Sequence, residues 1–415
     1  GSQNEARPGL SSAVVLDELI SAIIATNDVQ SLPQRPRLQI FERRCFAFDL
    51  EYYRKMQKAT DKEKLITFEG TRLRVALITG VTGQTGSYLV DLLLRKGYEV
   101  HGVTRGSPSD VPPRLAHVLR DKTTQRGKFH LHHCDILDVQ AFSEILISTK
   151  PNELYNLAAQ SSVGMSFKQP LETVRVDGVG VFSVLETVRL VDPKIRIFQA
   201  SSSEIFGRAV EVPQNEDTMP YPCSPYANAK LMGHALARLY REAYGMYVCS
   251  GILYNHESSR RGNAFVTQKI VQAAVRIHLG LQESLKLGNL DSGRDWGHAR
   301  DFVDCIWCML QPDTPQDFIV ATGVSHTVRQ FAQHAFSAVG IDVIFRGEGL
   351  SEIGVDAASG KIIVTVDPQF FRPTEPNQII GDSSKAQKVL GWKPTCTVKA
   401  LITEMIDAHM EELGG

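Results

Sequence analysis

Arg74-Val75-Ala76-Leu77-Ile78-Thr79 runs straight into Gly80-Val81-Thr82-Gly83-Gln84-Thr85-Gly86, and Tyr88-Leu89-Val90-Asp91-Leu92-Leu93-Leu94 follows at helical spacing. A short unbroken apolar run of this kind reads as a strand covered on both faces, as in parallel sheets. The glycines of G-x-x-G-x-x-G let the backbone approach a pyrophosphate while the helix N-terminus faces its charge. Such a strand-turn-helix unit restricts the fold to a doubly wound parallel Rossmann sheet. Further strands are expected at residues 99–104, 129–133, 153–158 and 196–200, with helices between most of them.

The sequence divides into three parts. Residues 71–254 are expected to form the dinucleotide-binding Rossmann domain. Residues 255–415 are expected to form mainly a smaller mixed α/β substrate lobe, with some segments returning to the first domain. Residues 1–70 carry no Gly-rich turn and stand apart as an extension. Val14, Val15, Leu16, Leu19, Ile20, Ile23 and Ile24 recur there at helical spacing, so an amphipathic helix with a docking or regulatory role is expected.

Composition narrows the class of function. The 415 residues are 43% hydrophobic and 22% charged, as in ordinary globular proteins. A formal net charge of −1 supplies no field for nucleic acid or an acidic membrane. No apolar run reaches membrane-spanning length. The seven cysteines form no framework, and Cys305-x-x-Cys308 lies in a helical apolar run, where core packing is expected rather than zinc. The expected compartment is the cytoplasm.

Around the Gly-rich turn, Gly80, Thr82, Gly83, Gln84, Thr85 and Gly86 are the expected pyrophosphate cradle. The second strand ends in Val103-Thr104-Arg105, without the acid that grips a ribose 2′-hydroxyl in NAD enzymes. Arg105 is suited to a 2′-phosphate, which favours NADP. Asp135 and Ile136 follow the third strand, where Asp135 can hold the adenine amino group. Leu157, Ala158, Ala159, Gln160 and Ser161 follow the fourth and are expected along the nicotinamide ribose.

Tyr226 and Lys230 stand at i and i+4 behind Ser224-Pro225, on one helix face. A tyrosine is too weakly acidic to serve as a base unless nearby positive charge favours its phenolate. With Lys230 beside it, Tyr226 can take a hydroxyl proton during sugar oxidation. Ser202, at the carboxyl edge of the sheet, can hydrogen-bond the reacting oxygen. Glu204 adds a proton-transfer group that alcohol oxidation does not need. A ketone at sugar C4 acidifies the C5 proton, and a carboxylate there can remove it and expel water from C6.

Together these residues resemble the extended short-chain dehydrogenase/reductase superfamily, and from Arg74 to Met410 the chain looks most like its GDP-mannose 4,6-dehydratase family. The matching runs include Gln199-Ala200-Ser201-Ser202-Ser203-Glu204, Asn255-His256-Glu257-Ser258, Arg260-Arg261-Gly262, Gly288-Asn289-Leu290-Asp291, Arg294-Asp295-Trp296-Gly297-His298-Ala299 and Phe371-Arg372-Pro373-Thr374-Glu375. The resemblance implies NADP as a recycled cofactor and GDP-mannose as substrate. The implied product is GDP-4-dehydro-6-deoxymannose, and the implied assembly is a homodimer or homotetramer. By position it implies Ser202, Glu204, Tyr226 and Lys230 as the catalytic set. It implies cofactor contacts at His256 and Arg261, and substrate contacts at Asn255, Val266, Lys269, Gly288, Arg294, Arg372 and Glu375. Lys269, Arg294 and Arg372 are cations suited to a diphosphate.

The chain departs from the family at Ser202, where Thr is usual, at Thr85, where Asp is usual, and at Gly106, where a second Arg is common. Three rivals remain: another nucleotide-sugar dehydratase, an epimerase, which needs no carboxylate at Glu204, and a catalytically weak cofactor-binding regulator.

Overall fold

The computed structural model describes residues 73–107, 110, 112–120, 128–372, 374–376 and 378–414. The helix expected near residues 14–24 lies outside the described residues. Residues 72–415 form one compact unit.

Seven parallel strands make the main sheet: β1 (Val75–Thr79), β2 (Glu99–Thr104), β3 (Phe129–His133), β4 (Glu153–Asn156), β5 (Arg196–Ser202), β6 (Val248–Leu253) and β10 (Phe318–Val320). Their order is β10-β6-β5-β4-β1-β2-β3. The chain order reverses beside β1, which places a ligand crevice at the carboxyl ends of β1 and β4. Ala76, Leu77 and Ile78 are fully buried, as a central parallel strand requires.

Helix α1 (Gln84–Arg95) leaves the Gly-rich turn and packs one face of the sheet against α4 (Ala299–Met309). Cys305 is fully buried in α4 and belongs to that apolar cluster. Helix α2 (Pro225–Tyr244) has Pro225 in its first turn. Ser224 caps it by accepting from Ala227 N at 3.0 Å. Gly245, at φ +63°, ends it in the left-handed region.

Two smaller sheets carry the rest. One joins β7 (Asn255–Glu257), β9 (Gly293–His298) and β11 (Ser325–Thr327) in the order β11-β9-β7. The other joins β8 (Leu285–Leu287), β12 (Val343–Arg346), β13 (Ile353–Asp356) and β14 (Ile362–Val366) in the order β12-β13-β14-β8. Helices α3 (Val266–His278), α5 (Val328–Ala338) and α6 (Val398–Leu413) pack on one another and share a second apolar core with these strands. Among the described residues, no helix is long and apolar enough to cross a membrane.

Candidate active site

A cleft of about 1330 Å³ runs from the carboxyl edge of the main sheet to the two smaller sheets. At one end the chain leaves β1 at Gly80, whose φ is +65° and whose Cα lies so close to β4 that a Cβ would sit 2.8 Å from Leu157 and Ala158 backbone. At Gly86 a Cβ would meet Gly80 O at 2.6 Å, so the turn closes only on glycine. Thr79 Oγ1 accepts from Leu157 N at 3.1 Å and Ala158 N at 3.2 Å, tying the β4 loop to the turn.

The turn is also fastened to β7. Gln84 Nε2 donates to His256 O at 2.8 Å, and Ser258 Oγ donates to Gln84 Oε1 at 2.7 Å. His256 donates from Nδ1 to Tyr254 O at 2.9 Å, which leaves Nε2 to accept from Thr85 Oγ1 at 2.7 Å. Burial and the nearby Arg261 lower the His256 pKa to about 4, so the ring is neutral and this tautomer holds. Thr85 therefore does local work in place of the family's aspartate.

Of the expected cofactor residues, Gly80, Thr82, Gly83, Gln84, Thr85, Gly86, Arg105, Asp135, Ile136, Leu157, Ala158, Ala159, Ser161, His256 and Arg261 line the cleft. Gln160 does not. Its Nε2 donates to Ser162 O and Thr173 Oγ1 while its Oε1 accepts from Ser162 N, so it braces the loop instead of facing a ligand. Arg105 is half exposed, with Glu172 3.6 Å away. The tight turn, the backbone approach and the helix N-terminus fit a dinucleotide pyrophosphate.

In the middle of the cleft β5 ends at Ser202, two residues beyond the strand end expected from sequence. Ser202 then caps a single 3-10 turn that carries Glu204, whose N donates to Ser202 Oγ at 3.2 Å. Tyr226 enters from the first turn of α2 and lines the cleft with Ser202. Burial raises its pKa, Asp177 and Glu204 raise it further, and Ser202 and Arg261 oppose them. Lys230 lines the cleft with Tyr226, one turn further along α2. Its buried ammonium needs acceptors and donates to Ala200 O at 2.5 Å. Burial lowers the Lys230 pKa, and the charge of Asp177 offsets this.

The far end is built on the smaller sheets. Asn255, Val266, Lys269, Gly288, Arg294, Arg372 and Glu375 all line it. Arg372 donates to Glu204 Oε1 at 3.0 Å, and Arg294, its pKa lowered by burial, lies 3.6 Å from Glu375. Lys269 sits 4.6 Å above the Phe370 ring. Two arginines thus each face a carboxylate, with Lys269 on the same lining.

The family model described as GDP-mannose 4,6 dehydratase matches residues 77–405. The chain belongs to the GDP-mannose 4,6-dehydratase family. A GDP-mannose 4,6-dehydratase of Sinorhizobium fredii (strain HH103) is 48% identical over 347 residues, 83% of this chain and 99% of that one. One from Drosophila melanogaster is 45% identical over 344 residues, 82% of this chain and 87% of that one. Among solved structures, dTDP-glucose 4,6-dehydratase of Bacillus anthracis in complex with NAD aligns with a TM-score of 0.66 at 17% identity. That alignment covers 82% of this chain and 98% of the other, and it shares the fold.

Two site residues escaped the sequence reading. Asp177 is 1% exposed and lies in a π-helical turn, Arg175–Val179. One of its oxygens accepts from Gln160 N at 2.7 Å and the other, buried, has no hydrogen-bond partner. The signal was there, a lone acid within Val176-Asp177-Gly178-Val179-Gly180-Val181. Arg114 donates to Arg260 O at 2.6 Å and Thr82 O at 3.3 Å, joining both ends of the dinucleotide half. No local pattern marks it.

Proposed function

We propose that this dehydratase converts GDP-mannose to GDP-4-dehydro-6-deoxymannose, with NADP in the Gly-rich half of the cleft. The observation that carries the reading is Glu204 placed one short turn from Ser202 and Tyr226. Epimerisation and simple alcohol oxidation need the hydroxyl pair but leave a carboxylate there without work.

Gly80, Gly83, Gly86 and the start of α1 would hold the pyrophosphate, and Arg105 a 2′-phosphate. When bound, the cofactor would supply a hydride acceptor for sugar C4 and the hydride returned at C6. Tyr226 accepts the C4 hydroxyl proton, with Ser202 sharing the oxygen's developing charge. Lys230 and the buried Asp177 influence each other electrostatically, and Lys230 supplies the positive charge that favours the Tyr226 phenolate. Glu204 removes the C5 proton of the ketone and passes it to the departing C6 hydroxyl, so one carboxylate serves both transfers. As hydride returns to C6, the proton held by Tyr226 goes to C5 and the phenolate is restored. Arg372, Arg294 and Lys269 bind the diphosphate, and Glu375 accepts from ribose or guanine.

Cytoplasmic residence and a homodimer or homotetramer complete the proposal, together with a Rossmann part at 71–254, a substrate part mainly at 255–415, and a docking or regulatory extension at 1–70. Incubating the purified protein with GDP-mannose and NADP, then weighing the sugar nucleotide, tests the reaction. Loss of one water supports it, whereas an unchanged mass with altered stereochemistry would establish an epimerase instead.

A further inference from the structure

Four side chains away from the catalytic groups crowd one face of the open sheet edge. Glu99 and His101 alternate along β2, and His130 and His132 alternate along the edge strand β3. His101 is the register partner of His130. Residues two apart in a strand share a face, so all four point the same way.

Their polar atoms are spaced like a ligand set. Glu99 Oε1 lies 3.2 Å from His101 Nε2 and 3.5 Å from His130 Nε2. The three ligand atoms fall within 4.8 Å of one another, the one such cluster among the described residues. Metal–nitrogen and metal–oxygen bonds of about 2.0–2.1 Å at tetrahedral angles separate neighbouring ligand atoms by roughly 3.4 Å. The two contacts to Glu99 already match that edge, and closing the third needs only a small turn of the His130 ring. That ring is 41% exposed and stacks on His101 with centroids 4.8 Å apart.

The fourth residue strengthens the case. His132 Nε2 lies 2.9 Å from His101 Nδ1, on the side of the ring facing away from Glu99. Ligating histidines nearly always have such an outer partner, which fixes the tautomer that frees the other nitrogen for the metal.

We propose that Glu99, His101 and His130 bind a zinc-class divalent transition ion, with water at the fourth position and His132 as the outer hydrogen-bond partner of His101. Two imidazoles and one carboxylate suit zinc chemistry and exclude magnesium or calcium. The ion would clip strand β3, whose outer side has no strand neighbour among the described residues, onto β2. His101 is two residues short of Val103, where β2 first lines the cleft, so the clip sits about 7 Å along the strand from the cleft and takes no part in the chemistry.

The test uses the full-length protein, stripped with chelator, equilibrated with zinc chloride and desalted. Mass-spectrometric metal analysis and thermal melting are then run with and without zinc on wild type, His130→Ala and Glu99→Gln. Wild type should retain close to one zinc per chain, and its melting temperature should rise with zinc because binding favours the folded state. Both variants should lose zinc affinity by about tenfold or more. Their metal-free melting curves should overlay the wild type, since both residues are partly exposed, and turnover should be unchanged. A wild-type protein that holds no zinc overturns the site. So does a His130→Ala protein that holds as much as wild type, which would move the metal to the cysteines.

Discussion

Arg372 and Glu204 are ion-paired across the cleft, with Nη1 donating to Oε1 at 3.0 Å. The residue assigned to grip the diphosphate therefore holds the carboxylate assigned to move protons. The other Glu204 oxygen is buried with no hydrogen-bond partner among the described residues. Binding of GDP-mannose would draw Arg372 toward phosphate and free the first oxygen.

Two substitutions separate these roles. Glu204→Gln keeps an acceptor for Arg372 and should bind GDP-mannose nearly normally. It should lose turnover by about 10²–10⁴-fold, the usual worth of a general base. Arg372→Met should weaken binding by about 1.5–3 kcal/mol, the range for a hydrogen bond to a charged group, with a smaller effect on turnover at saturation. Calorimetric titration beside steady-state kinetics gives both numbers, and a Glu204→Gln enzyme with wild-type kcat would remove Glu204 from the mechanism.

Tyr226→Phe deletes one oxygen from a side chain only 9% exposed and leaves the ring to pack. Turnover should fall by about 10²-fold or more while the cofactor stays bound. Cofactor retention after gel filtration and the rate of water loss should therefore part company. If both persist at wild-type levels, the proton leaves by another route.

Asp177 sets a pH dependence whose sign is fixed. Burial raises its pKa to about 6 from an ordinary 3.8, against the pull of Lys230. Between those values the folded chain holds a proton the unfolded chain has released, so this group's contribution to stability falls as pH rises from about 4 to about 6. Asp177→Asn removes the step. The variant should gain on wild type across that window by an amount on the order of 1–3 kcal/mol, visible as diverging melting temperatures. Parallel curves would show that Asp177 is ionised throughout.

Arg105 is the proposed 2′-phosphate contact and can be tested directly. The pair with Glu172 is long and half exposed, too weak to compete with a dianionic phosphate. Arg105→Ala should weaken NADP by about tenfold or more and leave NAD unaffected. Equal loss for both would shift 2′-phosphate recognition to another residue.

What could be read from sequence was local. The Gly-rich turn, the Tyr226/Lys230 spacing and the Ser202/Glu204 turn each lie within a few residues, and their geometry follows from one strand or one helix. What could not be read was set by distant partners. Lys230 turns to Ala200 and Asp177 because desolvation demands acceptors there, which i,i+4 spacing does not report. Gln160 sits in the expected loop, yet its amide finds Ser162 and Thr173 first. The pairing of β7 and β9 joins segments far apart in sequence, each only a few residues long, with too little pattern to announce a sheet.

The position of β10 bears on how the protein is made. Phe318, Ile319 and Val320 are almost wholly buried beside β6, and α4 covers α1, which was synthesised two hundred residues earlier. A chain that ends at residue 254 holds six strands of the main sheet and the whole Gly-rich turn, but lacks α4 and so leaves open the part of α1 that α4 covers. Until α4 emerges, the nascent chain carries that apolar face open to water and to its neighbours on the polysome. Cofactor binding and escape from aggregation therefore both wait on the last third of translation, and a fragment cut at residue 254 would inherit the exposed face permanently.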